Sequence, residues 1–329
     1  MKTAVVLIRE LHQFNMINTC CLGLLSQYEQ VIFLIEIDSF DNLPKAEIDG
    51  SMVANKIYFL KWVVIDLLQN RGLVNAFNNI CVNINKSSGE FVLLSFYYSS
   101  DPVLLLLFNV NFKAFYLLDE GGATVDVAFQ RSKFQFKNNL KICLKSALHL
   151  KWLDLPSKVN FITRFNFLVE GADKVFNVQT EKLLLEIERD EDQVWVLGTS
   201  AIKLKIVCKK YYLKVLKRLV EIHESKQCWY LPHRKESPLE IYEIEKIGFS
   251  ILTSSQPIEI MYKSLVKQPS VIYSLVTSCA LYELWFRFKA LTSIKYIGVP
   301  TKSYFHNYEL YKNLALAYSV SGEIEILEF

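Results

Sequence analysis

Glycine and proline are scarce in this chain, 11 and 8 among 329 residues. Their scarcity argues against a disordered or linker-dominated protein. Cysteine is also thin: seven residues (20, 21, 81, 143, 208, 228 and 279), odd in number, scattered, and without any C-x-x-C pair. That pattern suggests neither a disulfide framework nor a zinc site, and it predicts a reducing, cytoplasmic protein. Charge of one sign is lacking, since the net value of +3 is too small to imply nucleic acid. Long apolar runs are lacking as well. The greasiest stretch, "FVLLSFYYSSDPVLLLLFNV" (91–110), is interrupted by Ser99, Ser100, Asp101 and Pro102. Each half is strand-sized and short of the roughly 20 residues a spanning helix needs. The opening "MKTAVVLIRELHQF" has no cleavage region of a signal peptide, and Arg9 and Glu10 break its apolar run. It reads as a first strand entering a helix.

What the chain does have is apolar bulk: 51% hydrophobic residues, with 22 Phe and 17 Tyr, enough for a large core. Its length suits two domains. Five Trp add to a somewhat greasy surface, compatible with rest on a membrane. Short apolar runs alternate with longer helical patterns. "TAVVLI" (3–8), "QVIFLIEI" (30–37), "EFVLLSF" (90–96) and "FKAFYLL" (112–118) read as strands, and "NTCCLGLLSQY" (18–28) as a helix. "MVANKIYFLKWVVIDLLQN" (52–70) keeps apolar residues at steps of three and four, which predicts another helix.

Beyond about residue 185 the alternation restarts. Strands are expected at 193–202 (ending at Gly198), 228–231, 249–252, 270–274 and 294–299, the last of the chain. Helices are expected at 209–225, 239–248, about 257–267, Ser278 to about Lys289, and 306–320. Strands separated by helices argue for parallel sheets covered on both faces. The predicted class is therefore α/β, two Rossmann-like halves joined near "ERDED" (188–192). The domains fall at 1–187 and 188–300, with a C-terminal helix and tail at 301–329 returning to the first domain. Glycosyltransferases of the GT-B type share this layout, with the active site in the cleft between domains, though many unrelated proteins share it too.

Four stretches concentrate polar chemistry. In "LLDEGGAT" (117–124) a strand ends, Asp119 and Glu120 follow, and Gly121 comes next. Carboxyl ends of parallel strands face the ligand crevice, and adjacent carboxylates repel, which lifts one toward the pKa of a useful base. "WYLPHRKESP" (229–238) ends a strand on Pro232 and His233 and adds Arg234 and Lys235. An imidazole there can protonate a leaving phosphate oxygen, and the cations suit phosphate. "PSVIYSLVTSCALYEL" (269–284) ends a strand at Ser274 and opens a helix at Thr277–Ser278, where hydroxyls and backbone N–H groups suit phosphate. "SSQPIEIMY" (254–262) places Glu259 just inside a helix, where a carboxylate can hold ribose hydroxyls. Taken singly, each is also what an ordinary turn or helix cap looks like.

In this order the stretches resemble the bacterial sialyltransferases of GT-B fold, the lipooligosaccharide sialyltransferase and capsular polysialyltransferase families. Those carry an acidic-acidic-Gly motif, a His-Pro motif and a Ser-Ser/Thr motif. The resemblance covers short motifs, their spacing and the two-domain layout. It implies that the acidic motif falls on Asp119, Glu120 and Gly121, that one of its two carboxylates is the general base on the acceptor hydroxyl, and that His233 assists departure of CMP. It further implies that Glu259 holds ribose and that phosphate ligands lie among Ser274, Thr277 and Ser278. Gly121, Gly198, Pro232 and Arg234 complete the expected donor-binding set. Two positions depart from the pattern: Arg234 replaces the proline after the histidine, although Pro232 precedes it, and Cys279 stands where a second serine is expected unless Thr277–Ser278 is the pair.

The implied reaction is an inverting, metal-independent transfer of sialic acid, or a related nonulosonic or Kdo-type acid, from a CMP donor to a cell-surface glycan. That acceptor would be lipooligosaccharide or capsule and lipid-linked. No cofactor is required beyond the CMP-sugar itself. A GT-B transferase using a UDP- or GDP-sugar, and a non-catalytic nucleotide- or glycan-binding protein, stay open beside it. "DED" (190–192) is weighed as a metal-binding D-x-D and set aside as a solvated linker, because it precedes the strand instead of following one. His12, His149, His223 and His306 have no ligand spacing and are expected to be structural or superficial. "KLKIVCKKYYLKVLKR" (203–218) reads as a helix with a solvated lysine face; nucleic acid is disfavoured, and contact with anionic lipid would suit peripheral attachment at the inner membrane. An oligomer is compatible with all of this.

Overall fold

The computed structural model describes residues 2–9, 11–36, 56–60, 71–86, 89–98, 100–119, 124–125, 127–128, 156, 158–163, 173–177, 188–203, 205–233, 235–254, 258–263, 265–275, 292–298, 308–321 and 325–327. The chain forms two compact units. The first comprises Met1–Arg164 and Leu168–Gln179, the second Phe165–Phe167 and Thr180–Phe329.

The first unit is built on seven parallel strands: β1 (Lys2–Ile8), β2 (Gln30–Glu36), β3 (Lys56–Leu60), β4 (Glu90–Ser95), β5 (Phe112–Leu118), β6 (Asn160–Thr163) and β7 (Lys174–Asn177). Their spatial order is β3-β2-β1-β4-β5-β6-β7, so the winding reverses between β1 and β4. Central strands of such a sheet are covered on both faces and must be apolar throughout. β1 obeys this, with every residue from Thr3 to Ile8 buried between β2 and β4 in register Val5↔Ile32 and Val5↔Leu93. Each fully buried aliphatic side chain, such as Val5, Val6 or Ile8, contributes roughly 1.5–3 kcal/mol relative to exposure. Phe14, Met16, Ile17, Cys21 and Leu25 close one face of the sheet.

The second unit has six parallel strands: β8 (Glu188–Leu197), β9 (Gln227–Leu231), β10 (Ser250–Ile251), β11 (Lys267–Ser274), β12 (Ser293–Ile297) and β13 (Glu325–Leu327). Their order is β10-β9-β8-β11-β12-β13, with the reversal between β8 and β11. The helix Lys209–Ile222 buries Tyr211, Tyr212, Val215, Leu216 and Leu219. The helix Pro238–Ile247 starts from a capping box, in which the Ser237 hydroxyl accepts the Glu240 N–H while the Glu240 side chain accepts the Ser237 N–H. It ends at Gly248, whose φ of +116° is costly for any residue with a Cβ.

Several expectations are corrected. Lys56–Leu60, inside the predicted 52–70 helix, is a strand paired in parallel with β2, and the flanking residues lie outside the described set. Pairing with a buried neighbour overrides the helical spacing there. The second half of 91–110 is a helix, Asp101–Asn109, because Ser100 is extended and Pro102 fits a first helical turn. Ile17–Cys21 is a π turn between the short helices Leu11–Met16 and Leu22–Leu25, not part of one α-helix. "ERDED" is no linker: Glu188–Asp192 is the first half of β8, paired with β11 in register Lys267↔Glu188 and Gln268↔Arg189. Its charges are tolerated because this end of the strand is largely exposed, and Arg189 pairs with Glu191 at 2.9 Å. The strand at 294–299 is not the last, because β13 follows and pairs with β12. The C-terminal helix Tyr308–Ser321 and β13 belong to the second unit. The expected helix from Ser278 to Lys289 lies outside the described residues.

Candidate active site

Parallel strands place their ligand-binding turns at the carboxyl ends, above all where the winding reverses. In the second unit those turns belong to β9, β8 and β11, neighbours whose last residues stand in register: Leu231↔Leu197 and Leu197↔Ser274. Three predicted site residues are therefore brought to one edge: Gly198 directly after β8, His233 two residues after β9, and Ser274 ending β11. Pro232, half-buried, lies between Leu231 and His233. Ser274 is buried. Glu259 is the second residue of the helix Ile258–Lys263, and only its backbone is described. Arg234, Thr277 and Ser278 lie outside the described residues.

The turns after β8 and β9 touch. The Gly198 N–H donates to the Leu231 carbonyl at 2.7 Å. A Cβ on Gly198 would stand 2.5 Å from Glu236 Oε2, 2.6 Å from the His233 nitrogen and 2.7 Å from the Leu231 oxygen, so only glycine fits. Glu236, which sequence reasoning passed over inside a charge run, is the centre of this corner. Its Oε1 accepts the Tyr230 hydroxyl at 2.6 Å and the Thr199 N–H at 3.3 Å, and its Oε2 accepts the His233 N–H at 2.7 Å. Tyr230 in turn lies 2.7 Å from the Tyr212 hydroxyl. An ionised carboxylate only accepts, so Tyr230 spends its proton on Glu236 and Tyr212 donates to Tyr230. Burial raises the Glu236 pKa, against the lowering effect of the Tyr230, His233 and Thr199 donors. Burial likewise pushes both tyrosines up.

His233 is held by more than its backbone nitrogen. Its carbonyl accepts the Glu236 N–H at 2.8 Å, and its Nδ1 accepts the Lys235 N–H at 3.1 Å. With Nδ1 as acceptor, the neutral ring carries its proton on Nε2. Nε2–H is then the donor this side chain offers.

In the first unit Asp119 follows β5 directly and is only 5% exposed. The hydroxyl of Thr163, the last residue of β6, donates to Asp119 Oδ2 at 2.8 Å. The two stand one step beyond the Leu118↔Ile162 pair of the ladder. This contact gives the candidate base a fixed orientation. Glu120 and Gly121 lie outside the described residues. A second cluster, also unforeseen, marks the reversal between β1 and β4. Gln13, fully buried, accepts the Arg9 N–H at 2.7 Å and donates to the Tyr97 hydroxyl at 3.0 Å, while the Arg9 guanidinium lies 5.6 Å from the Tyr97 ring centre. Ser95 Oγ accepts the Tyr97 N–H at 3.0 Å. The signal was Arg9 at the exit of "VVLI", read only as a break in an apolar run.

Among the described residues no three His, Cys, Asp or Glu side chains are grouped to hold a metal ion. Asp190 turns toward its own strand, its Oδ1 accepting the Asp192 N–H at 3.1 Å and its Oδ2 the Gln193 side chain at 3.0 Å. His223 bonds Tyr273 at 2.8 Å, as a structural histidine does. The helix Lys209–Ile222 turns Lys210, Lys214 and Lys217 to solvent, and Arg218 pairs with Glu221. No helix among the described residues is long and apolar enough to cross a membrane.

No protein-family model matches the chain, and no curated protein matches it in sequence. Solved structures do. Acinetobacter baumannii MurG superposes with a TM-score of 0.51 at 11% identity, covering 99% of this chain and 86% of that one. A UDP-GlcNAc 2-epimerase from Neisseria meningitidis, bound to UDP-GlcNAc, gives 0.53 at 9% identity, over 100% of this chain and 87% of the other. The glycotransferase of kitacinnamycin gives 0.52 at 7% identity, over 99% and 86%. At such identities the likeness is one of fold, and the fold is GT-B: α/β, with two Rossmann-like units of parallel sheet.

Proposed function

We propose that this chain is an inverting glycosyltransferase that takes its sugar from a nucleotide donor, with Asp119 as its base and His233 at the donor phosphate. The observation that carries the reading is the corner at the carboxyl ends of β8 and β9. There a glycine turn that admits no side chain adjoins an imidazole held to present Nε2–H. The missing Cβ lets the turn after β9 close against the turn after β8, and the Nε2–H donor held there suits a phosphate oxygen.

In the proposed reaction Asp119, oriented by Thr163, removes the proton of an acceptor hydroxyl. The oxygen forms its bond to the anomeric carbon from the face opposite the phosphate, the carbon–phosphate-oxygen bond breaks, and the nucleotide leaves. Configuration inverts once. His233 Nε2–H hydrogen-bonds the departing phosphate oxygen and offsets its growing charge. These roles need no metal.

The finer reading is that the donor is CMP-activated sialic acid or a related nonulosonic or Kdo-type acid, and that the acceptor is a lipid-linked lipooligosaccharide or capsular glycan. Its support is the order of the acidic, histidine and serine motifs. A second reading, a UDP-sugar donor, is supported by the fold likeness to an epimerase bound to UDP-GlcNAc. The basic helix face supports peripheral attachment to anionic lipid at the cytoplasmic side of the inner membrane. Thermal shift with CMP, UDP and GDP separates the donors. Stabilisation by CMP alone is expected, since a ligand at 100 times its Kd adds about 2.7 kcal/mol to the folded state. Stabilisation by UDP or GDP alone would transfer the reading to that donor, and no response to any of the three would remove the nucleotide site.

A further inference from the structure

We propose that Glu236 is the positioning residue of this corner: one carboxylate ties the turn after β8 to the turn after β9 and so fixes where His233 presents its Nε2–H. The inference rests on the proposed role of His233. Its basis is the division of labour between the two carboxylate oxygens. Among the described residues Oε2 takes the His233 N–H alone, at 2.7 Å. Oε1 takes the Thr199 N–H, at 3.3 Å, and the Tyr230 hydroxyl, at 2.6 Å, which anchors the carboxylate to the buried Tyr230–Tyr212 pair.

Three features make this a device for geometry. The turn is closed in both directions, because Glu236 receives the His233 N–H on its side chain and returns its own N–H to the His233 carbonyl at 2.8 Å. The closure brings Lys235 into place to donate to His233 Nδ1 at 3.1 Å, which selects the ring tautomer. And Gly198 has given up its side chain to the same carboxylate, whose Oε2 lies 2.5 Å from the place a Cβ would take. The Ser237–Glu240 capping box begins at the next residue, so the helix Pro238–Ile247 fixes the turn from behind.

The neutral isostere sorts the two oxygens. In Glu236→Gln the amide oxygen can take the Oε2 place and keep the His233 N–H. Its NH2 then faces Tyr230, whose hydroxyl can turn to accept. The variant loses only the longer Thr199 bond. Glu236→Ala loses all three, and Glu236→Asp is one methylene too short to reach Tyr230 and His233 together.

The test uses full-length protein labelled with 15N-histidine. Only five histidines contribute, and the His233 signal is assigned by its loss in His233→Ala. Two-bond 15N–1H correlations report the tautomer. Wild type and Glu236→Gln should show the Nε2–H form of His233, and Glu236→Ala should show a mixture of tautomers. Glu236→Asp gives the same comparison if the alanine variant does not fold. Donor turnover should fall about a hundredfold in Glu236→Ala, the scale expected for a misplaced reacting group, and less than tenfold in Glu236→Gln. An unchanged His233 signature in Glu236→Ala, or in Glu236→Asp in its place, overturns the positioning role whatever the activity. A changed signature with undiminished turnover leaves that role standing and removes His233 from the reaction.

Discussion

Gly198 and Glu236 occupy each other's space: the position a Cβ would take on Gly198 lies 2.5 Å from Glu236 Oε2. The neighbouring obstacles are backbone atoms, His233 N and Leu231 O, which cannot swing aside as the end of a side chain can. Gly198→Ala must therefore push the turns after β8 and β9 apart. The variant should lose about 1–3 kcal/mol of stability, the usual cost of overpacking. It should also lose nucleotide affinity beyond what the fold loses. Calorimetry and nucleotide titration on the same samples check this, and an alanine variant as stable and as responsive as wild type would show the corner to be loose.

Thr163 and Asp119 make the corresponding pair in the first unit, hydroxyl to carboxylate at 2.8 Å with both side chains buried. Thr163→Val keeps the shape and removes the donor. Turnover should fall about tenfold, less than the two to four orders expected for loss of a general base itself. Steady-state rates decide it. A valine variant at full rate would mean that Asp119 needs no orienting partner.

Glu236 also predicts a pH dependence. Burial holds its folded-state pKa above the ordinary value of 4.5. A carboxyl raised in the fold contributes stability that is complete below about pH 4.5 and is lost as pH rises through the raised value. Glu236→Gln does not titrate. The stability of wild type relative to the glutamine variant should therefore decline from pH about 4.5 upward and level off above the folded pKa. Melting curves of both proteins across this range test it, and a difference independent of pH would place Glu236 in water.

The sheets were legible in the sequence where burial on both faces leaves a pure apolar run. "TAVVLI" reads as a strand and is one, because a central parallel strand has no polar face to disguise it; "FKAFYLL" is a strand too, although Lys113 is exposed and only its second half is largely buried. β3 was not legible. "KIYFL" sits in a stretch with helical spacing, and its state is decided by pairing with β2, more than twenty residues upstream. β6, β7 and β13, at four, four and three residues, are too short to carry a period. The charged half of β8 looked like a linker because its exposed end carries no apolar signal.

At the candidate site, Asp119, Gly198, His233 and Ser274 were readable as polar or glycine residues at strand exits. Glu236 was not, because its meaning lies in contacts with Thr199 and Gly198, far away in the chain. Thr163 was hidden for the same reason, its partner standing 44 residues earlier.

The most direct measurement is nucleotide release from CMP-sialic acid and from UDP-GlcNAc, each with a set of lipooligosaccharide and capsular acceptors in excess EDTA, by wild type and Asp119→Asn. The account predicts release of CMP matched one for one by a glycan product of inverted anomeric configuration. It also predicts that Asp119→Asn is slower by about two to four orders of magnitude while still binding nucleotide. Release of UDP alone would keep the transferase and change its donor. No transfer from either donor, or an asparagine variant as fast as wild type, would contradict the account.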